Sequence, residues 1–173
     1  ASAKETKMSY GVKALLIVAA LGLAACGNKA GLNGGPSAFD SFGAAGDPSN
    51  PSSIAYFNQS VGDRVLFAVD QATISEQGRG VLLAQAAWLK TNADYAIIIE
   101  GHADEQGTRD YNLALGARRA AAAQNFLISQ GLPADRMRTI SYGKERPIEI
   151  CSDEACYSKN RRAVTVLSMG AGA

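Results

Sequence analysis

Two kinds of apolar pattern run along the chain. Residues 14–25, ALLIVAALGLAA, form an unbroken apolar run of 12. As a helix this would be about 18 Å long, short of the roughly 20 residues a bilayer core needs. From residue 64 onward the apolar positions instead recur with the periods of strands and amphipathic helices. RVLFAV at 64–69 predicts a first strand. Ser75 is placed to cap a helix in which Leu82, Ala86 and Leu89 follow at i, i+4 and i+7. AIII at 96–99 predicts a second strand, buried on both faces or nearly so. A polar, glycine-containing stretch at 104–110 leads into a second helix, 111–130, stopped by Gly131 with Pro133 just beyond. Residues 137–142 and 163–168 read as third and fourth strands. Strands alternating with helices predict an α/β fold: a two-layer α/β sandwich with helices packed on one face of a short mixed sheet. No internal repeat is visible.

Between the two patterned regions, composition changes sharply. Of the 27 residues at 27–53, 17 are Gly, Pro, Ser or Asn, and only Lys29, Asp40 and Asp47 are charged. Such a segment buries too little apolar surface to offset its ordering entropy, so it reads as a flexible tether. As a coil it would average roughly 26–31 Å end to end and stretch to about 90–95 Å. Phe39 and Phe42 are its only aromatics and read as incidental rather than as a docking spot.

Lys4, Lys7 and Lys13 precede the apolar run, and Leu23-Ala24-Ala25-Cys26 closes it. A basic flank, a short apolar stretch and small residues at the end fit a secretory signal over 1–25. Residues 1–7 precede Met8 and read as an over-called start or an appended segment. The ending resembles the lipobox of bacterial lipoproteins, which implies that Cys26 is acylated and becomes the new N-terminus. Gly27 stands where aspartate would resemble an inner-membrane retention signal, so the resemblance favours the outer membrane. The expected anchor is outer-membrane lipid, held through N-terminal acyl chains including palmitate.

Charge and rare residues narrow the chemistry. The chain carries 17 basic and 16 acidic side chains, a formal net charge of +1. Loss of three lysines and Glu5 with the signal would make this −1, so neither a nucleic-acid footprint nor a polybasic membrane patch is expected. One histidine and three cysteines leave little for a metal enzyme. Glu100, His102 and Asp104 alternate along the second strand and are the one credible ligand triad, for a metal-dependent periplasmic hydrolase. No nucleophile elbow, phosphate loop or cysteine–histidine pair accompanies it. Non-catalytic binding with no cofactor is the stronger reading. Cys151 and Cys156 form an even set once Cys26 is acylated, and read as a disulfide or as two free thiols.

The stretch EGHADEQGTRDYNLALGARRA at 100–120 resembles the signature of outer-membrane-protein-A-like peptidoglycan-binding domains. That signature is approximately G-x-T-D-x-x-G-(S/T)-x-x-Y-N-x-x-L-(S/G)-x-R-R-A. The chain departs from it mainly at Ala103, where threonine is usual. SYGKERP at 141–147 and YSKNRRAV at 157–164 match the closing segments. With lipobox and tether, the whole chain is similar to the lipoproteins of the Tol system. The resemblance implies binding to peptidoglycan, TolB and other Tol-system proteins as partners, and a role in envelope constriction at division. A different lipoprotein with the same head, such as a secretion-system anchor, fits less of the pattern.

The stem-peptide diaminopimelate of peptidoglycan presents an ammonium and a carboxylate on one carbon. Asp104 suits the first and Arg119 the second, bidentately. The alternative is a structural Asp104–Arg119 salt bridge. Asn112, Leu115 and Arg119 share a helix face at i, i+3 and i+7, offering a polar contact and an apolar wall. Asp70 falls where the family has a Phe-Asp pair, with Val69 replacing the phenylalanine and backbone N–H groups available as donors. Arg162 is expected near the pocket, or else fixing the entry of the last strand. Arg118 lies about 100° around the helix from Arg119 and reads as solvated or partner-facing.

Overall fold

The computed structural model describes residues 46–169. The signal segment, Cys26, Phe39, Phe42 and the tether up to residue 45 lie outside them. The order is a short helix α1 (Ile54–Tyr56) running into a π-helical turn (Phe57–Gly62), then β1 (Arg64–Leu66), α2 (Glu76–Thr91) and β2 (Tyr95–His102). There follow α3 (Arg109–Ser129), β3 (Met137–Gly143), α4 (Glu154–Asn160) and β4 (Arg162–Met169). The sheet is mixed, in the order β1-β4-β2-β3, with β2 and β3 parallel and β4 antiparallel to both neighbours. This is the expected two-layer α/β sandwich. No helix among the described residues is long and apolar enough to cross a membrane.

Local chemistry sets the helix ends. Ser75 accepts from the Gly78 N–H at 3.1 Å and Thr108 from the Tyr111 N–H at 3.3 Å, capping α2 and α3. At the far end of α3, Gly131 takes φ 92°. Its N–H reaches Ile128 and that of Leu132 reaches Leu127, a Schellman close that only a residue at ease in the left-handed region permits.

One face of the sheet carries Val65, Ile97, Ile99, Met137, Ala163 and Leu167 against Leu82, Ala86 and Leu89 of α2 and Ala120, Ala123 and Leu127 of α3. Each large side chain so buried contributes about 1.5–3 kcal/mol relative to exposure. The second strand is less symmetric than its sequence suggested: Ile97 and Ile99 are buried, while Ile98 faces the other side and is only partly covered. Helices cover one face of the sheet and not the other, so the β-branched run reflects strand propensity more than two-sided burial.

Residues 51–53, read from sequence as the end of the tether, are tied to this core. Trp88 Nε1 donates to the Pro51 carbonyl at 2.7 Å, and the Tyr95 hydroxyl to that of Ser52 at 2.7 Å. Trp88 is itself wedged between Phe57 and Tyr95, with ring centroids 5.0 and 5.5 Å away. Two aromatic donors thus recruit carbonyls from a Pro/Ser stretch, a tertiary effect that composition does not register.

At Gly101, α3 crosses β2 with no room for a side chain. A Cβ there would overlap the Gly116 carbonyl, and one at Gly116 would strike Ser141. This close crossing brings the end of β2 against the first turns of α3, where the candidate site lies.

Candidate functional site

A cleft of about 250 Å³ opens between three segments: the turn after β1, the loop after β2 and the start of α3. Val69, Asp70, Asp104, Gln106, Gly107, Tyr111, Asn112 and Leu115 line it. Asp70, Asp104, Asn112 and Leu115 of the expected set are therefore together. Val69, at the position of the family's phenylalanine, is 54% exposed at the rim.

The turn at 68–71 is closed by the Gln71 N–H donating to Ala68 at 3.2 Å, with Asp70 at φ 57°. A non-glycine residue there is strained, and aspartate is among the few that tolerate it. The Asp70 carboxylate accepts from the Tyr111 hydroxyl, joining turn to helix across the cleft and pushing the tyrosine pKa up. No backbone carbonyl among the described residues accepts from the Val69 or Asp70 N–H.

Beneath the cleft lies Arg119, with 0% of its surface exposed. Its Nε donates to Gln71 at 2.8 Å, Nη1 to His102 at 2.8 Å and Nη2 to Ala68 at 3.2 Å, all backbone carbonyls. The guanidinium carbon sits 5.3 Å from the Phe67 ring centroid. Burial pulls its pKa down to about 10, with Asp104 opposing and Arg161 adding to the shift, so it stays cationic at neutral pH. A structural Asp104–Arg119 bridge, the alternative drawn from spacing, is absent among the ion pairs of the described residues.

The partner of Asp104 is Arg161. Asp104 Oδ1 accepts from the Gln106 N–H at 3.2 Å and Oδ2 from Arg161 Nη1 at 3.2 Å. Asn112 Nδ2 donates to the Gln106 carbonyl at 2.7 Å, so it holds the loop as well as lining the cleft. Arg161 was the residue that sequence reasoning passed over in favour of its neighbour. Arg162 does not line the cleft. It begins β4, where Ala163, Thr165 and Leu167 face the helices, so strand alternation turns Arg162 to the opposite face. There it donates to the Asn160 and Arg146 carbonyls at 3.3 and 3.1 Å, fixing the entry of the last strand.

The Glu100–His102–Asp104 triad is not assembled. Glu100 and His102 face the helix-free side, 3.6 Å apart, while a register shift at Gly101/His102 ends the alternation and Asp104 joins the cleft. The one cluster with ligand spacing among the described residues is Cys151, Asp153 and Cys156, and its two cysteines are joined in a disulfide.

His102 is 1% exposed, stacked on Tyr142, and neither ring nitrogen has a hydrogen-bond partner. Burial first, then Arg162 and Arg146, drives its pKa from 6.5 to about 3. The unfolded chain therefore binds a proton that the folded head does not between those values, and stability falls as pH drops through 6.5. At pH 5 the loss is about 2 kcal/mol relative to neutral pH. Melting curves at pH 7 and 5 should show it, and His102→Gln should flatten the dependence over that range.

A profile of the OmpA family matches residues 66–161. The peptidoglycan-associated lipoprotein of Agrobacterium fabrum is 50% identical over 96% of this chain and 92% of its own length. The chain belongs to the peptidoglycan-associated lipoproteins. A more distant member of that family, from Haemophilus influenzae, is 38% identical over 91% of this chain and 98% of its own length. The crystal structure of the peptidoglycan-associated lipoprotein from Burkholderia pseudomallei superposes with a TM-score of 0.62 at 35% identity, over 70% of this chain and 98% of that one. The C-terminal domain of Helicobacter pylori MotB shares the fold, with a TM-score of 0.58 at 22% identity over 63% of this chain and 86% of that one.

Proposed function

We propose that the cleft binds the free end of the stem-peptide diaminopimelate in peptidoglycan, without catalysis. The supporting observation is an anion, Asp104, lining the cleft and a buried cation, Arg119, directly beneath it, the two not bonded to each other. Asp104 offers an anion to the ligand ammonium. Arg119 has five N–H groups and uses three on carbonyls, leaving two for a carboxylate alongside the unbonded Val69 and Asp70 amides. Leu115 supplies an apolar wall for the methylene chain. Burial strengthens each of these charged hydrogen bonds relative to a solvated site.

In this reading Cys26 carries the acyl chains that hold the protein in the outer membrane, facing the periplasm. Residues 27–45 separate that anchor from the folded head, so the chain ties membrane to cell wall. TolB and the other Tol-system proteins, and a part in constriction at division, follow from membership of the family and belong to the same proposal.

The test is a sacculus pull-down competed with free diaminopimelate. Asp104→Asn keeps the volume and removes the counter-charge of the ammonium. A charged hydrogen bond contributes about 1.5–3 kcal/mol, so affinity should fall roughly 10- to 150-fold. Arg118→Ala, exposed and 5.9 Å from the Tyr111 ring centroid, should change little. Wild-type binding by folded Asp104→Asn protein would move the ligand to another site.

A further inference from the structure

Behind the cleft, a second acidic residue competes for the cation that holds Asp104. Arg161 is almost fully buried, and its donors are divided among three acceptors. Nε donates to the Phe67 carbonyl at 3.1 Å, Nη1 to both Asp104 and Glu154 at 3.2 Å, and Nη2 to Glu154. Asp104 thus receives one of the guanidinium's bonds and Glu154 two. The Glu154 carboxyl pKa is lowered by that hydrogen bonding, while its side chain remains 66% exposed.

Glu154 is delivered by a fastened element. It opens α4, whose first turn is capped by Asp153 accepting from the Cys156 N–H at 3.1 Å. The Cys151–Cys156 disulfide closes the same turn, with Cα atoms 5.8 Å apart. One turn further, Tyr157 donates to Glu105 at 2.8 Å, fastening α4 to the loop that carries Asp104.

We propose that Glu154 is a positioning residue that holds Arg161 partly off Asp104, and so sets the affinity of the cleft for an ammonium-bearing ligand. The inference rests on the diaminopimelate reading above. Without Glu154, the freed N–H groups of Arg161 turn to the nearest anion, which is Asp104. The carboxylate then bonds its internal cation more fully and attracts a ligand ammonium less. The disulfide enters because it fixes the turn from which Glu154 reaches inward. Intact cystine and strong binding go together.

The measurement is the NMR titration of full-length protein with meso-diaminopimelate, followed at the Gln106 and Asn112 resonances. Glu154→Gln should weaken binding about three- to tenfold, the range for a pair with one buried and one exposed end. Dithiothreitol should do the same to wild type: the Sγ–Sγ bond breaks, each sulfur takes one electron and one proton, and the reagent closes to its cyclic disulfide. It should add nothing to Glu154→Gln. The di-N-acetylated ligand, which has no ammonium, separates charge from structure. Glu154→Gln should bind it at least as well as wild type, whereas a merely structural role would weaken both ligands alike. Equal diaminopimelate affinity in wild type and Glu154→Gln overturns the inference while leaving the site intact, as does a full further loss on reducing the variant. Wild-type protein that fails to bind diaminopimelate removes the ligand reading itself, and this inference with it.

Discussion

Arg119→Ala is expected to lower the melting temperature of the head and abolish most peptidoglycan binding together. The side chain is wholly buried and donates to carbonyls at Ala68, Gln71 and His102. Its removal leaves a large cavity, the buried His102 carbonyl without a donor and the part-buried Ala68 and Gln71 carbonyls open, which costs about 3–5 kcal/mol. In a head of this size that corresponds to a fall of more than about 10 °C. Binding should fall roughly 10- to 150-fold in whatever fraction stays folded, because the ligand carboxylate loses its cation. Arg119→Lys separates the two roles. A lysine keeps the charge but cannot span three carbonyls or grip a carboxylate with two parallel bonds. It should therefore recover less stability than charge alone would suggest, and bind weakly even at temperatures where it is folded. Calorimetry beside the sacculus assay reads both. A stable Arg119→Lys head with wild-type affinity would show that guanidinium geometry is irrelevant here, and would leave Arg119 a simple counter-charge.

The sequence was legible where structure is local or periodic, and not where only the fold brings residues together. Periodicity located α2, α3 and all four strands, since burial on one face imposes a repeat. Ser75 and Gly131 marked helix ends because their chemistry is local: a side-chain oxygen for an N–H, and ease at positive φ. Asp104, Asn112 and Leu115 were legible because the loop and helix carrying them are contiguous in the chain. Arg161 was not. Its partners Phe67, Asp104 and Glu154 come from three separate segments, and only the fold makes them neighbours. Which of the neighbours Arg161 and Arg162 reaches Asp104 depends on strand phase at the start of β4, where a shift of one residue reverses the face. α4 and the π-helical turn at Phe57–Gly62 also escaped notice, being short and without a full amphipathic repeat. The docking of Pro51 and Ser52 depends on donors from Trp88 and Tyr95, some forty residues away.

Cys26→Ser should release the protein from the membrane fraction or leave it as an unprocessed precursor. Leu23-Ala24-Ala25-Cys26 closes an apolar run of 12 residues, too short to serve as a durable anchor itself. In the proposed reading attachment depends on acyl chains, for which the thiol is the acceptor and a serine hydroxyl is not a substitute in this processing route. Each buried methylene contributes about 0.8 kcal/mol, so one chain of 14 carbons binds only marginally and two or three bind essentially permanently. The chain has no helix, among its described residues, long and apolar enough to cross a membrane. Its net charge without residues 1–25 is −1, so electrostatic attraction to anionic headgroups does not assist. The variant's effect should thus be close to complete, unlike the graded losses expected at the cleft. Fractionation of cell envelopes, with mass spectrometry of the N-terminal peptide, is the measurement. The head of a released Cys26→Ser protein should still bind isolated sacculi with wild-type affinity, because the cleft and Arg119 beneath it both lie within the folded head. A Cys26→Ser protein that is cleaved normally and stays with the outer membrane would mean that something other than this cysteine holds it there. The separation of anchor from cell-wall site would then have to be redrawn.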